Sequence, residues 1–263
     1  MPTKKRKIFT LIAGPCVLED EATSLKIGRT VKAVAEDFGW NYVFKASYDK
    51  ANRSSIQSKR GLGLKKGLAM LGRLREKLEV PVVTDVHMPQ DVPEVAKVVD
   101  ILQIPAFLCR QTDLIVAAAE SGCAVNVKKG QFLAPGDVNS IGEKLKSSGC
   151  KEYWITERGT TFGYNNLVVD MRGLAWMREA GHPVIFDATH SVQRPGGYGN
   201  RTGGDGAMAP VLARAAVAVG IDGLFIETHP DPKKSPSDGD NMIPLAALPK
   251  VLKQLHKIQQ VIN

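Results

Sequence analysis

Trp40-Asn41-Tyr42-Val43-Phe44-Lys45-Ala46-Ser47-Tyr48-Asp49-Lys50-Ala51-Asn52-Arg53-Ser54-Ser55 carries the pattern on which the fold turns. The largely apolar run from Trp40 to Phe44 reads as a buried strand, and it stops abruptly at a lysine. From Ala46 to Ser55 there is no apolar periodicity, but there are Lys50, Arg53, Asn52 and three serines. A plain connector favours Gly, Pro and Asp. This one offers cations and hydroxyls, the groups that hold a phosphate or a carboxylate. Taken alone it reads more readily as a solvated basic loop, and the positions of the other unusual residues overturn that reading.

The same motif, a short apolar run ending in a polar group, recurs along the chain. Strands are expected at Ile8–Ala13, Tyr42–Lys45, Val82–Asp85, Ile101–Ile104, Ala124–Val127, Tyr153–Thr156, Val184–Phe186 and Leu224–Ile226. Segments with helical spacing follow each, beginning near Glu21, Gly63, Asp91, Thr112, Val138, Leu167, Gly206 and Pro244. Gly39, Gly122, Gly149, Gly181 and Gly220 stand where helices should close. Eight strand–helix units in 263 residues point to a single (β/α)₈ TIM barrel, an α/β fold occupying residues 1–263 as one domain.

Bulk composition narrows the partners. With 43% hydrophobic and 24% charged residues the chain has an ordinary globular balance. Thirty-five basic against 27 acidic residues give a net charge of +8, which suits anionic ligands. Dispersed cations and only 6% aromatic residues disfavour nucleic acid. No stretch has the length of a membrane span. Lys4-Lys5-Arg6-Lys7 before Ile8 imitates an export signal, but Gly14-Pro15 interrupts the apolar part, and a basic lead-in to a first strand is expected. Cys16, Cys109, Cys123 and Cys150 show no paired spacing, so reduced thiols and a cytoplasmic setting are expected.

The strand ends carry Cys16; Lys45 and Ser47; Asp85 and His87; Gln103; Lys128 and Lys129; Glu157 and Arg158; Asp187 and His190; Glu227 and His229. In a (β/α)₈ barrel that rim is where active sites are built. Cys16, His190, Glu227 and Asp238 arise beside one another once such a barrel closes. They suit Zn²⁺, Fe²⁺ or Mn²⁺, or else they are hydrogen-bonded rim residues that bind nothing. Lys45, Lys50, Lys129 and Arg158 would surround one anion, and Arg53 with Ser54 a second. Lys128 reads as a salt-bridged neighbour. The stretch 195–204, rich in glycine, reads as a lid over the barrel mouth or as a plain connector.

Several blocks together resemble one family. They are Ala13-Gly14-Pro15-Cys16, Phe44 through Ser55, Thr84-Asp85-Val86-His87, Gln103 through Asp113, Asn126-Val127-Lys128-Lys129, Glu157-Arg158-Gly159, Phe162 to Asp170 and Asp187-Ala188-Thr189-His190-Ser191-Val192-Gln193. The sequence is similar to the 3-deoxy-D-manno-octulosonate 8-phosphate synthases over nearly its whole length. Lys50-Ala51-Asn52-Arg53-Ser54-Ser55 separates it from the related heptulosonate 7-phosphate synthases, which carry a Lys-Pro-Arg-Thr-Ser type segment.

The resemblance implies condensation of phosphoenolpyruvate with arabinose 5-phosphate and water, releasing phosphate, with no organic cofactor. It implies that Lys45, Ser47 and Lys50 hold the enolpyruvate carboxylate, and that Gln103, Lys129 and Arg158 hold its phosphate. Asn52 would contact the sugar and Asp85 joins the substrate contacts. Arg53 and Ser54 would grip the sugar phosphate of a neighbouring subunit in a homotetramer. Lys45, Asn52, His190 and Asp238 are the residues expected to serve the reaction itself. Cys16, His190, Glu227 and Asp238 match the family's metal-dependent branch, although the Asp238-Gly239 pair also occurs in the other branch.

Overall fold

Strands form where apolar and β-branched residues pack on both faces, and each of the eight expected runs does so. In the computed structural model, which describes residues 8–53, 55–197 and 202–262, they are β1 (Thr10–Gly14), β2 (Asn41–Lys45), β3 (Val82–Asp85), β4 (Ile101–Ile104), β5 (Ala124–Lys128), β6 (Tyr153–Glu157), β7 (Val184–Asp187) and β8 (Gly223–His229). All pair in parallel with their neighbours in chain order. β8 pairs in turn with β1, from Thr10 against Gly223 to Gly14 against Glu227, and this closes a barrel.

The helices are α1 (Glu21–Asp37), α2 (Leu64–Leu78), α3 (Val92–Val95), α4 (Thr112–Glu120), α5 (Val138–Ser147), α6 (Met171–Glu179), α7 (Ala209–Val219) and α8 (Leu248–Ile262). Their apolar stripes cover the outward faces of the strands in one continuous core. All five anticipated stop glycines take the left-handed conformation, with φ between 65° and 93°. After α2 no glycine stands ready, and Glu79 adopts that conformation itself at φ 52°.

Some expected boundaries shift. Ile8 is 68% exposed, and the first strand begins at Thr10. The segment from Leu167 is not a helix start: Leu167–Val168 pairs antiparallel with Thr160–Thr161 around a turn in which Gly163 and Asn165 have positive φ. The helix begins only after Asp170, whose carboxylate accepts from the Arg172 N–H at 3.0 Å. Near Pro244, Ile243–Pro244 extends the β8 pairing and α8 starts at Leu248. No helix among the described residues is long and apolar enough to cross a membrane.

The barrel interior holds its own small core of Ile12, Val43, Val83, Ile101, Trp154, Ile185 and Phe225. It is a floor, because strand alternation returns the same face two residues later and the chemistry changes there. Above the β1 part of that floor the backbones of β1 and β2 come very close. A Cβ at Gly14 would lie 1.8 Å from the Lys45 carbonyl oxygen and 2.8 Å from its carbon, both backbone atoms. Gly14→Ala is therefore expected to cost about 2–3 kcal/mol in urea unfolding. Gly136→Ala, where an added Cβ meets nothing within 4 Å, should stay close to the parent protein.

Candidate active site and metal centre

Two residues beyond the apolar floor, seven of the eight strands present polar side chains to the same lumen, β1 having Gly14 there: Lys45, Asp85, Gln103, Asn126 with Lys128, Thr156, Asp187 and Glu227. All are buried. Water cannot solvate these ions, so they pair with one another. Lys45 Nζ donates to Glu227 Oε1 at 3.2 Å, to Ser47 Oγ at 3.0 Å and to the Cys16 carbonyl at 3.1 Å. Lys128 donates to Asp187 and lies 3.3 Å over the centroid of the Phe225 ring. Asp85 Oδ2 is 3.1 Å from His87 Nε2.

Burial alone would raise the carboxylate pKa values, but the cations win. Asp187 is held well below the usual range by His190 and Lys128, and Asp85 by its His87 hydrogen bond and by Lys45 and Lys50. Glu227 is lowered by His190, Lys45 and Lys50. For Lys50 burial acts downward, but the charges of Cys16, Glu227, Asp85 and Asp238 lift it well above its ordinary value. Lys128 goes the other way: burial, against the opposing pull of Asp187, lowers it to about 8.

Pairing leaves several lumen atoms without a partner: Asp85 Oδ1, Gln103 Oε1, Asn126 Nδ2, Glu227 Oε2 and, just above, Arg158 Nη1. A native interior rarely tolerates so many, which marks the lumen as a place built for a polar guest. The guanidinium nitrogen offers a seat for an anion and the Glu227 oxygen a seat for a cation.

At the cation seat, Cys16, Glu227 and Asp238 bring ligand atoms within 4.8 Å of one another. Cys16 and Asp238 are two of the four described non-glycine residues with positive φ, at 66° and 54°. Backbone strain of that kind collects where side chains must be aimed. The Cys16 thiol donates to Asp238 Oδ2 at 3.3 Å. Burial, and after it Glu227, push the thiol pKa up. A mixed sulfur and carboxylate set fits a first-row divalent ion, and the unpartnered Glu227 oxygen supports that fit. His190 stands at the edge of this group. Its Nε2 is 3.7 Å from Glu227 Oε2, and its Nδ1 is fixed 2.7 Å from Asp187 Oδ2. A carboxylate behind a histidine is the usual way to orient a ligating imidazole.

Other anticipated residues fall differently. Lys129 is fully buried but turned out of the lumen. Its Nζ donates to the carbonyls of Leu133 at 2.9 Å and Gly130 at 3.3 Å and to Thr160 Oγ1 at 3.2 Å, and it pairs with Glu157 at 3.5 Å. It ties two rim loops together, and Lys128 is the lysine in the lumen. Arg53 folds back on its own chain, donating to Ser237 Oγ at 2.7 Å, to the Pro236 carbonyl at 3.4 Å and to the Lys59 carbonyl at 3.0 Å. Asn52 is exposed. Ser54 and the middle of the glycine-rich stretch, 198–201, lie outside the described residues. Sequence reasoning did not single out Asn126 or Gln193, although counting by twos from Ala124 reaches Asn126 and then Lys128.

Comparison with known proteins agrees with this layout. The model of the DAHP synthetase I family matches residues 4–263. The chain belongs to the DAHP synthetase I family. Curated relatives named 2-dehydro-3-deoxyphosphooctonate aldolase include one from Fusobacterium nucleatum, 54% identical over 98% of this chain and 93% of its own length. Another, from Nitratidesulfovibrio vulgaris, is 56% identical over 93% of this chain and 90% of its own. A third, from Dechloromonas aromatica, is 55% identical over 97% and 92%. The motif blocks pointed to the 3-deoxy-D-manno-octulosonate 8-phosphate synthases, and the name these relatives carry agrees with that grouping.

Because burial lowers the Lys128 pKa to about 8 in spite of its ion pair with Asp187, anion binding in the lumen is expected to carry a pH signature. Below that pH the lysine is charged and attracts. Above it, the charged fraction falls tenfold per unit. Inorganic phosphate is expected to bind up to about tenfold more weakly per pH unit above pH 8. Lys128→Met should abolish that slope in a calorimetric titration, whereas Lys129→Met should keep it and lower the melting temperature instead.

Proposed function

We propose that this chain condenses phosphoenolpyruvate with arabinose 5-phosphate and water, forming 3-deoxy-D-manno-octulosonate 8-phosphate and inorganic phosphate. The relatives' printed name and the Lys50–Ser55 segment support this choice of acceptor. The observation that carries the reading is the lumen itself, with Arg158 Nη1 open toward an anion and Glu227 Oε2 open toward a cation within one buried chamber.

In this reading Arg158, Lys128 and Gln103 hold the phosphate of phosphoenolpyruvate, with Lys128 in the place that the family resemblance gave to Lys129. Lys45, Ser47 and Lys50 hold its carboxylate. Asn52 meets the sugar, and Arg53 and Ser54 its phosphate, as would follow in a homotetramer where the loop serves a neighbouring site. The enol carbon attacks the aldehyde and the electron deficit falls on the carbon bearing the phosphate oxygen. Water adds there. The resulting hemiketal phosphate breaks its carbon–oxygen bond, and phosphate leaves toward Arg158 and Lys128, whose charges stabilise it. Cys16, His190, Glu227 and Asp238 would hold a divalent ion, Zn²⁺, Fe²⁺ or Mn²⁺, which supplies Lewis acidity toward the aldehyde or the water. Asp85 Oδ1, ionised at neutral pH and without a partner, is a proton acceptor or hydroxyl anchor inside the chamber.

Lys128 gives a second reading some ground, since a buried lysine with a lowered pKa suits Schiff-base chemistry. Borohydride reduction with substrate present separates the two. No trapped lysine is expected, and an adduct on Lys128 would replace the first mechanism. Phosphate release should be much faster with arabinose 5-phosphate than with erythrose 4-phosphate, and the reverse preference defeats the assignment. Chelation should abolish turnover and a divalent ion should restore it. Cys16→Asn is expected to weaken metal binding by more than about 100-fold, beyond the 10–100-fold typical of a residue one step removed from the ion.

A further inference from the structure

Gln193 stands between the two seats. It follows the short 3₁₀ turn His190–Val192, and its backbone is pinned by the two-residue antiparallel pairing of Gln193–Arg194 with Gly203–Gly204. Its Nε2 donates to Asp238 Oδ1 at 2.6 Å, and its Oε1 accepts from Arg158 Nη2. The amide cannot serve the other way round, because reversal would set its NH₂ against the guanidinium and its carbonyl against the carboxylate. Asp238 Oδ2 accepts from Ser237 Oγ at 2.5 Å and from the Cys16 thiol at 3.3 Å. Gln193 therefore decides which oxygen of Asp238 remains turned toward Cys16 and Glu227. On its other side it occupies one arm of Arg158 and leaves Nη1 as the arm without a partner.

We propose that Gln193 is a positioning residue that couples occupancy of the anion seat at Arg158 to metal affinity at Asp238. This rests on the reading of the two seats above and adds a link between them. An anion on Nη1 holds the guanidinium still, the guanidinium holds the amide, and the amide holds the carboxylate in its ligating orientation. A metal on Asp238 sends the same restraint back. The coupling is reciprocal by thermodynamic necessity and positive in sign.

The test titrates Mn²⁺ into the metal-free full-length protein with and without inorganic phosphate, and phosphate with and without Mn²⁺, by calorimetry. In the parent protein each is expected to tighten the other by about tenfold, within the usual range for coupled sites. Gln193→Met keeps the side-chain length and removes both hydrogen bonds, as Gln193→Ala does with less bulk. In either, the factor should drop to about threefold or less, the part owed to attraction between opposite charges. Unliganded melting temperatures should move little, since the side chain is only partly buried. A coupling factor in the variants equal to the parent's overturns the proposal, and so does a parent protein that binds both probes independently, whatever the variants do. A parent protein that binds phosphate but no Mn²⁺ would instead overturn the metal seat itself.

Discussion

A carboxylate with no exposed surface, Glu227, sits on the strand that closes the barrel and depends on residues far away in the chain. Its Oε1 pairs with Lys45 from β2, its backbone N–H donates to Thr189 Oγ1 at 2.8 Å, and its other oxygen faces His190 and Cys16. Taking a carboxylate out of water costs several kcal/mol, and only good partners offset it. Lys45 and Cys16 reach it only when β8 lies against β1. Closure and site are thus one condition: a barrel open between these strands would leave both Lys45 and Glu227 as unpaired ions. The Gly14–Lys45 approach enforces the same geometry by exclusion, since no side chain fits between the two backbones.

The lumen is stratified for a physical reason. Below, seven apolar side chains fill the space and exclude water. Above, alternation returns the same face with ions, which then interact in a dry setting where charge acts strongly. Such an arrangement holds only if charges nearly cancel. Lys45 with Glu227 and Lys128 with Asp187 do cancel, and Asp85 shares a hydrogen bond with His87. What survives includes an unpartnered arm of Arg158 and unpartnered oxygens of Glu227 and Asp85, and is of both signs. A chamber of this kind prefers guests that bring one anion and one cation, because either alone leaves the opposite seat unsatisfied.

Much of this was legible in the amino-acid order, and the failures are instructive. Eight apolar runs with polar ends gave the barrel and its rim, because both depend on local period and on the parallel sheet's need for burial on two faces. Lys128 pairs with Asp187, as its salt-bridged reading expects, but its place in the lumen was missed for want of one count: Lys128 shares the parity of Ala124 and Asn126, and Lys129 falls outside it. The Leu167 boundary failed because Gly163 and Asn165 make a hairpin whose register depends on Thr160–Thr161, a pairing no local periodicity announces. Gln193 was out of reach altogether. Its importance lies in two partners 35 and 45 residues away, and nothing in a lone glutamine signals them.

On the proposed chemistry, the layout also bears on why one family can hold synthases of different sugars. Besides Ser47 and Lys50, which lie on the segment after β2, the lumen groups that would meet phosphoenolpyruvate come from a barrel strand or from the residue just beyond it: Lys45, Gln103, Lys128 and Arg158. Their positions follow from strand register and cannot drift without opening the barrel. The groups assigned to the acceptor, Asn52, Arg53 and Ser54, lie on the loop between β2 and α2, where Asn52 is exposed and Arg53 donates to Ser237, Pro236 and Lys59. A loop can change length and side chains at little cost to the fold. The half of the reaction common to the family is thereby bound to the scaffold, and the half that distinguishes its members is free to vary. Arg53 is the point of contact between them, since Ser237 passes its hold directly to the ligating carboxylate of Asp238.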